Sequence, residues 1–211
     1  MVKWKKIKNF KVLVLATYCR CGSTALCEYY SKKYNIGNDD EMFFYDCNPD
    51  DVQKTLEGQI GYVIKITSAQ WEKSMKESHR EYIKNVFSQI NAKVVLLYRK
   101  NISEQLLSLA HCNYSSRWHN KNNFIEDKEI KVLVNKAMNL YPNFIKNIEY
   151  TNKLIKEIVP HEILEYANVL KLPKQAFKKN KRNISYKKAL EQLNSKFKKQ
   201  LVYESKYFKI V

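Results

Sequence analysis

In KVLVLATYCRCGSTALCEYY, residues 11–30, an apolar run passes through a short loop into a helix. The first seven residues carry Val and Leu without alternation, the pattern of a strand covered on both faces. A loop follows from Thr17. Ser23 and Thr24 stand just past Gly22, where small hydroxyl residues open helices, and the spacing predicts a helix over 23–34. Strand, loop and helix in this order form the first unit of an α/β domain.

Three more runs read as buried strands: IGYVIKI (60–66), KVVLLY (93–98) and HEILEY (161–166). Helical spacing lies between and after them, over 69–90 as two helices, then over 101–110, 128–159 and 185–201. Asn101 and Glu104 are spaced like a capping box. Pro142 falls inside the longest pattern and predicts a kink or break near Tyr141. Alternating strands and helices predict a central, mostly parallel sheet flanked by helices, α/β in class. No internal repeat or linker-like stretch divides the chain, and 211 residues suit one domain over 1–211.

The composition is 45% hydrophobic and 13% aromatic, enough for a core, which excludes wholesale disorder. No apolar run approaches the roughly 18 residues of a membrane span, and the basic start lacks a secretory apolar region, so a cytoplasmic location is expected. Five cysteines in a chain of this size are expected to be reduced thiols. Cys19, Cys21 and Cys27 have no second pair at zinc-site spacing, and no metal is expected.

The net charge of +17 is uneven: residues 171–211 hold thirteen Lys/Arg against two Glu, whereas residues 39–57 hold seven carboxylates and one lysine. A basic surplus invites a nucleic-acid reading. Only five of the 38 basic residues are arginine, the residue suited to bidentate phosphate recognition: Arg20, Arg80, Arg99, Arg117 and Arg182.

Parallel sheets bind ligands at the carboxyl ends of their strands, which directs attention beyond Thr17, Ile66 and Tyr98. After Thr17 the loop aims backbone N–H groups and a helix dipole at one spot, with Arg20 beside it, forming an anion cradle. It is not a Walker A loop, having one glycine and no lysine. The loop instead resembles that of sulfotransferases using 3′-phosphoadenosine 5′-phosphosulfate (PAPS). Their aromatic-Pro-Arg/Lys-Ser/Thr-Gly-Ser/Thr-Thr pattern is matched by Arg20, Gly22, Ser23 and Thr24, with Cys19 in place of proline and Cys21 in place of Ser/Thr. Leu26-Cys27-Glu28 repeats the continuation found in the bacterial trehalose-type branch. A second match runs through Tyr98-Arg99-Lys100-Asn101 to Gln105, Leu107 and Ser108; a third is Ser116-Arg117-Trp118-His119, similar to that branch's Thr-Gly-Arg-Trp-His.

The resemblance implies a P-loop-like nucleotide-binding (sulfotransferase) fold and transfer of a sulfuryl group from PAPS to a hydroxyl of a carbohydrate or other small molecule. It implies that Arg20, Cys21, Gly22, Ser23 and Thr24 hold the 5′-phosphosulfate. A basic residue eight positions before a serine grips the 3′-phosphate in the family. Lys100 is eight before Ser108 and Arg99 nine, so either fits. Asp40-Glu41-Met42-Phe43 resembles the stretch carrying the branch's general base, which makes Glu41 the candidate base. Thr67 stands where other sulfotransferases place a histidine, two residues beyond Lys65; Lys65 stays as an electrostatic stabiliser, with His111 and His119 as fallback bases. Lys178-Lys179-Asn180-Lys181-Arg182 resembles a segment that closes over the nucleotide, implicating Lys179 and Arg182. Dimers occur in the resembled branch, so a homodimer is one open state. The alternatives are a kinase-like phosphoryl-transfer enzyme on a related fold and a basic nucleic-acid-binding module.

Overall fold

The computed structural model describes residues 10–39, 62–75, 77–89, 93–116, 122–169 and 181–198. Glu41, Arg117, Trp118, His119 and Lys179 lie outside the described residues.

The chain opens with β1 (Phe10–Ala16), α1 (Ser23–Tyr34), β2 (Gly37–Asp39) and β3 (Tyr62–Thr67). A π-helical turn (Gln70–Ser74), α2 (Glu77–Gln89), β4 (Lys93–Tyr98) and α3 (Ile102–Ser115) follow. Then come β5 (Asn122–Asn123), α4 (Ile130–Glu157), β6 (Glu162–Glu165), α5 (Tyr166–Val169), β7 (Lys181–Arg182) and α6 (Ile184–Lys196). Five strands form one sheet in the order β2-β3-β1-β4-β6, every pair parallel. β5 and β7 make a separate two-stranded parallel pair.

β1 lies at the centre, in register with β3 (Val14 opposite Lys65) and with β4 (Val14 opposite Val95). Because side chains alternate along a strand, its apolar run serves two cores at once. Val12, Val14 and Ala16 pack with Val63, Val95 and Leu97 under Leu26, Cys27 and Tyr30 of α1. Leu13 and Leu15 pack with Ile64, Ile66 and Leu96 beneath α3, α4 and α6, against Leu106, Leu107, Leu133, Phe144 and Leu193. The missing alternation in KVLVLA is the sequence form of this three-layer arrangement.

β1, α1 and β4 lie where the sequence places them. β2 was not legible, since three residues carry no period. Of the kink or break expected at Pro142, the break does not occur: α4 is continuous through it. Proline removes one hydrogen bond, to the Met138 carbonyl, but its ring sits on the exposed face while the buried stripe continues on both sides. Leu133, Val134 and Ala137 precede it; Phe144, Asn147, Thr151 and Leu154 follow. Packing on both sides outweighs the single lost bond. Among the described residues, no helix is long and apolar enough to cross a membrane.

Replacing Pro142 by Ala returns the missing donor to α4. The unfolding free energy is expected to rise by about 2 kcal/mol, the helix-interior cost of proline less the unfolded-state entropy it removes. Urea unfolding measures the change, and a lower midpoint in the variant would contradict this account of the helix.

Candidate functional site

The strand order creates one crevice. From β1 the chain leaves through α1 toward β2 and β3, whereas from β4 it leaves through α3 and α4 toward β6. The two connections depart on opposite faces, so the loops after β1 and β4 part over the sheet's carboxyl edge, the place where open α/β sheets bind ligands.

The loop after β1 is tied to both neighbours. Thr17 N donates to the Leu97 carbonyl at 3.1 Å, and Ser68 Oγ donates to the Thr17 carbonyl at 2.8 Å. Arg20 and Gly22 have left-handed backbones, with φ of 64° and 90°. Gly22 is required twice over, because a Cβ there would also lie 2.4 Å from the Tyr166 ring. As the N-cap of α1 it brings no side chain of its own, and the first turn of the helix carries no acid. Lys32 and Lys33 sit in the last turn, where they complement the dipole.

Several sequence-selected residues converge on this mouth. Arg20 Nε donates to Ser108 Oγ at 3.3 Å, joining the first loop to α3. Lys65, buried on the α1 side of β3, donates to Thr24 Oγ1 at 3.4 Å. Cys21 is fully buried in the cluster that holds Leu26 and Cys27, and burial pushes its thiol pKa up against hydrogen bonds from Ser23 and the Tyr18 backbone, which lower it. Beyond β3, Thr67 and Gln70 hold each other, Gln70 Oε1 accepting from Thr67 N at 2.8 Å and Thr67 Oγ1 from Gln70 N at 3.2 Å. His111 is buried on α3.

The structure separates Arg99 from Lys100. Arg99 is 7% exposed; its Nη1 donates to the Arg20 carbonyl at 3.3 Å and its Nη2 to Glu104 Oε2 at 2.5 Å. Its guanidinium also lies 5.0 Å from the centre of the Tyr166 ring, a cation–π contact. Lys100 is exposed. Arg182 reaches the same carboxylate, through Nη1 to Oε1 and Nη2 to Oε2 (3.1 Å), and lies over the Tyr186 ring at 5.1 Å. Three of the five arginines therefore meet here. Half of the expected capping box forms: Asn101 Oδ1 accepts from Glu104 N at 3.0 Å, while the Glu104 carboxylate turns to the two arginines. Burial alone would raise the Glu104 pKa, but hydrogen bonds from Arg182 and the charge of Arg99 bring it below the usual range.

Glu104 and Tyr166 organise the site, yet sequence reasoning saw them only as a cap residue and a strand end. Their one signal was proximity in sequence to Arg99 and to the end of β6. Among the described residues no group of three or more His, Cys, Asp or Glu could hold a metal ion. The sequence matches no protein-family model and no curated protein.

Since the folded-state pKa of Glu104 is depressed, its contribution to stability is complete above the unfolded carboxylate pKa. It disappears as the pH falls through the folded value. Glu104→Gln is expected to lower the unfolding free energy at pH 7 by on the order of 2 kcal/mol, because two arginines lose their anion. The gap between wild type and variant should narrow below about pH 4. Urea unfolding across pH measures it; a gap that stays constant or widens in acid would contradict the assignment.

Proposed function

We propose that this protein is a PAPS-dependent sulfotransferase acting on a hydroxyl of a carbohydrate or other small molecule, on a P-loop-like sulfotransferase fold. The observation that carries the proposal is the meeting of the two sequence-matched segments in one crevice, through Arg20 Nε to Ser108 Oγ and Arg99 Nη1 to the Arg20 carbonyl, each 3.3 Å. A donor phosphorylated at both ends of its ribose needs two anion corners at such a crevice. The residues fit that need. The first turn of α1 offers N–H groups with no acid beside them, and Arg20 and Lys65 add positive charge. The carboxylate of Glu104 is matched by two arginines.

In this scheme Arg20 and the N–H groups of Gly22, Ser23 and Thr24 bind the 5′-phosphosulfate and stabilise charge on the departing phosphate. Lys65, held against Thr24, lies toward the bridging oxygen. The 3′-phosphate falls to Lys100 and Ser108, since Arg99 is committed to Glu104 and the Arg20 carbonyl. Lys179 and Arg182 belong to the covering segment. The acceptor oxygen forms its bond to sulfur as the bond from sulfur to the phosphate oxygen breaks, and the acceptor proton passes to a carboxylate, for which Glu41 is the candidate. Positioning and charge stabilisation supply the catalysis, as in phosphoryl transfer.

Adenosine 3′,5′-bisphosphate, the transfer product, is expected to raise the melting temperature more than ATP at equal concentration. Arg20→Ala should weaken bisphosphate binding at least roughly tenfold, the cost of a charge-assisted phosphate contact. Stabilisation by ATP but not by the bisphosphate, or unchanged affinity in the variant, would overturn the proposal.

A further inference from the structure

We propose that Gln105 is a positioning residue of the anion mouth: with Arg99 it fixes two successive peptide planes of the first loop, so that the N–H groups of Arg20 and Cys21 face the ligand. The inference rests on the sulfotransferase reading for the identity of that ligand.

Gln105 is fully buried on α3, one residue past Glu104 and on the same helix face as Ser108. Its Nε2 donates to the Cys19 carbonyl at 2.8 Å. The next carbonyl, of Arg20, is taken by Arg99 Nη1 at 3.3 Å. No peptide bond among the described residues is cis, and in a trans peptide the N–H points opposite to the C=O. Holding the Cys19 carbonyl toward α3 therefore turns the Arg20 N–H away from α3. Holding the Arg20 carbonyl toward Arg99 does the same for the Cys21 N–H. Both donors come from the segment that begins with Arg99, so both amides turn to the side of the loop away from that segment. Left-handed backbone at a non-glycine residue such as Arg20 is unfavourable by itself and needs such an external hold.

A second observation separates this role from simple packing. Gln105 Oε1 is buried and has no hydrogen-bond partner among the described residues. The amide cannot be turned round, because the oxygen would then face the Cys19 carbonyl oxygen. A buried amide that leaves one of its atoms unsatisfied is a poor choice for stability alone, and an apolar side chain of equal length would avoid the penalty.

The test compares wild type and Gln105→Met in the full chain, by calorimetric titration with adenosine 3′,5′-bisphosphate and adenosine 3′-monophosphate, together with melting temperatures. The variant should lose about five- to tenfold in affinity for the bisphosphate, the worth of one hydrogen bond relayed through the loop. It should stay within about twofold for the 3′-monophosphate, which lacks the 5′ group, and its melting temperature should hold or rise. Equal losses for both nucleotides with a lower melting temperature would show a merely structural residue and overturn the inference, as would unchanged bisphosphate affinity. Amide exchange on the wild type provides a readout independent of the variant: the bisphosphate should slow exchange at the Arg20 and Cys21 N–H groups, and unchanged exchange there counts against the role. Wild-type protein that binds neither nucleotide overturns the donor assignment, and the inference with it.

Discussion

The guanidinium of Arg99 holds the crevice together. A charge buried to this extent must be compensated on every side. Its partners are the three parts that make the mouth: the Arg20 carbonyl of the first loop, the Glu104 carboxylate of α3, and the face of Tyr166 at the end of β6. Tyr166 in turn packs so closely on Gly22 that only glycine fits beneath it. Through Glu104 the network extends to Arg182 and so to β7 and α6. Segments far apart in sequence are thereby fastened around one side chain.

Charge in this molecule is informative by type and place more than by sum. A surplus of 17 positive charges is mostly lysine. Lysine is a flexible, strongly hydrated point charge, well suited to a solvated face. Arginine makes fixed, directional contacts, and Arg20, Arg99 and Arg182 converge on Ser108 and Glu104 while Arg80 braces the Met75 carbonyl elsewhere. The mouth combines these fixed charges with the positive end of α1, which is left without an acidic first turn.

The layered fold was legible because each central strand carries both cores in its own sequence, Val12 and Val14 for one face, Leu13 and Leu15 for the other. Gly22 followed by Ser23 marked the start of α1 for a local reason, the backbone conformation of the cap. Where tertiary contacts override local chemistry, the sequence was a poorer guide. Pro142 looked like a helix kink or break because its cost is local, whereas the packing that keeps α4 continuous comes from elements distant in sequence. Glu104 looked like half of a capping box because Asn101 lies three residues earlier; the two arginines that claim it are five and 78 residues away. The choice between Arg99 and Lys100 turns on which of two adjacent side chains faces inward, and no spacing rule reports that. Glu41 and Lys179 lie outside the described residues, so their roles remain part of the proposal.

A crystal structure of the protein with adenosine 3′,5′-bisphosphate tests most directly whether one nucleotide spans the mouth and the basic corner. The account predicts the 5′-phosphate on the N–H groups of Ser23 and Thr24 beside Arg20, and the 3′-phosphate within hydrogen-bond reach of Lys100 and Ser108. A nucleotide bound with neither phosphate at the start of α1, or a crevice left empty at saturating nucleotide, would contradict it.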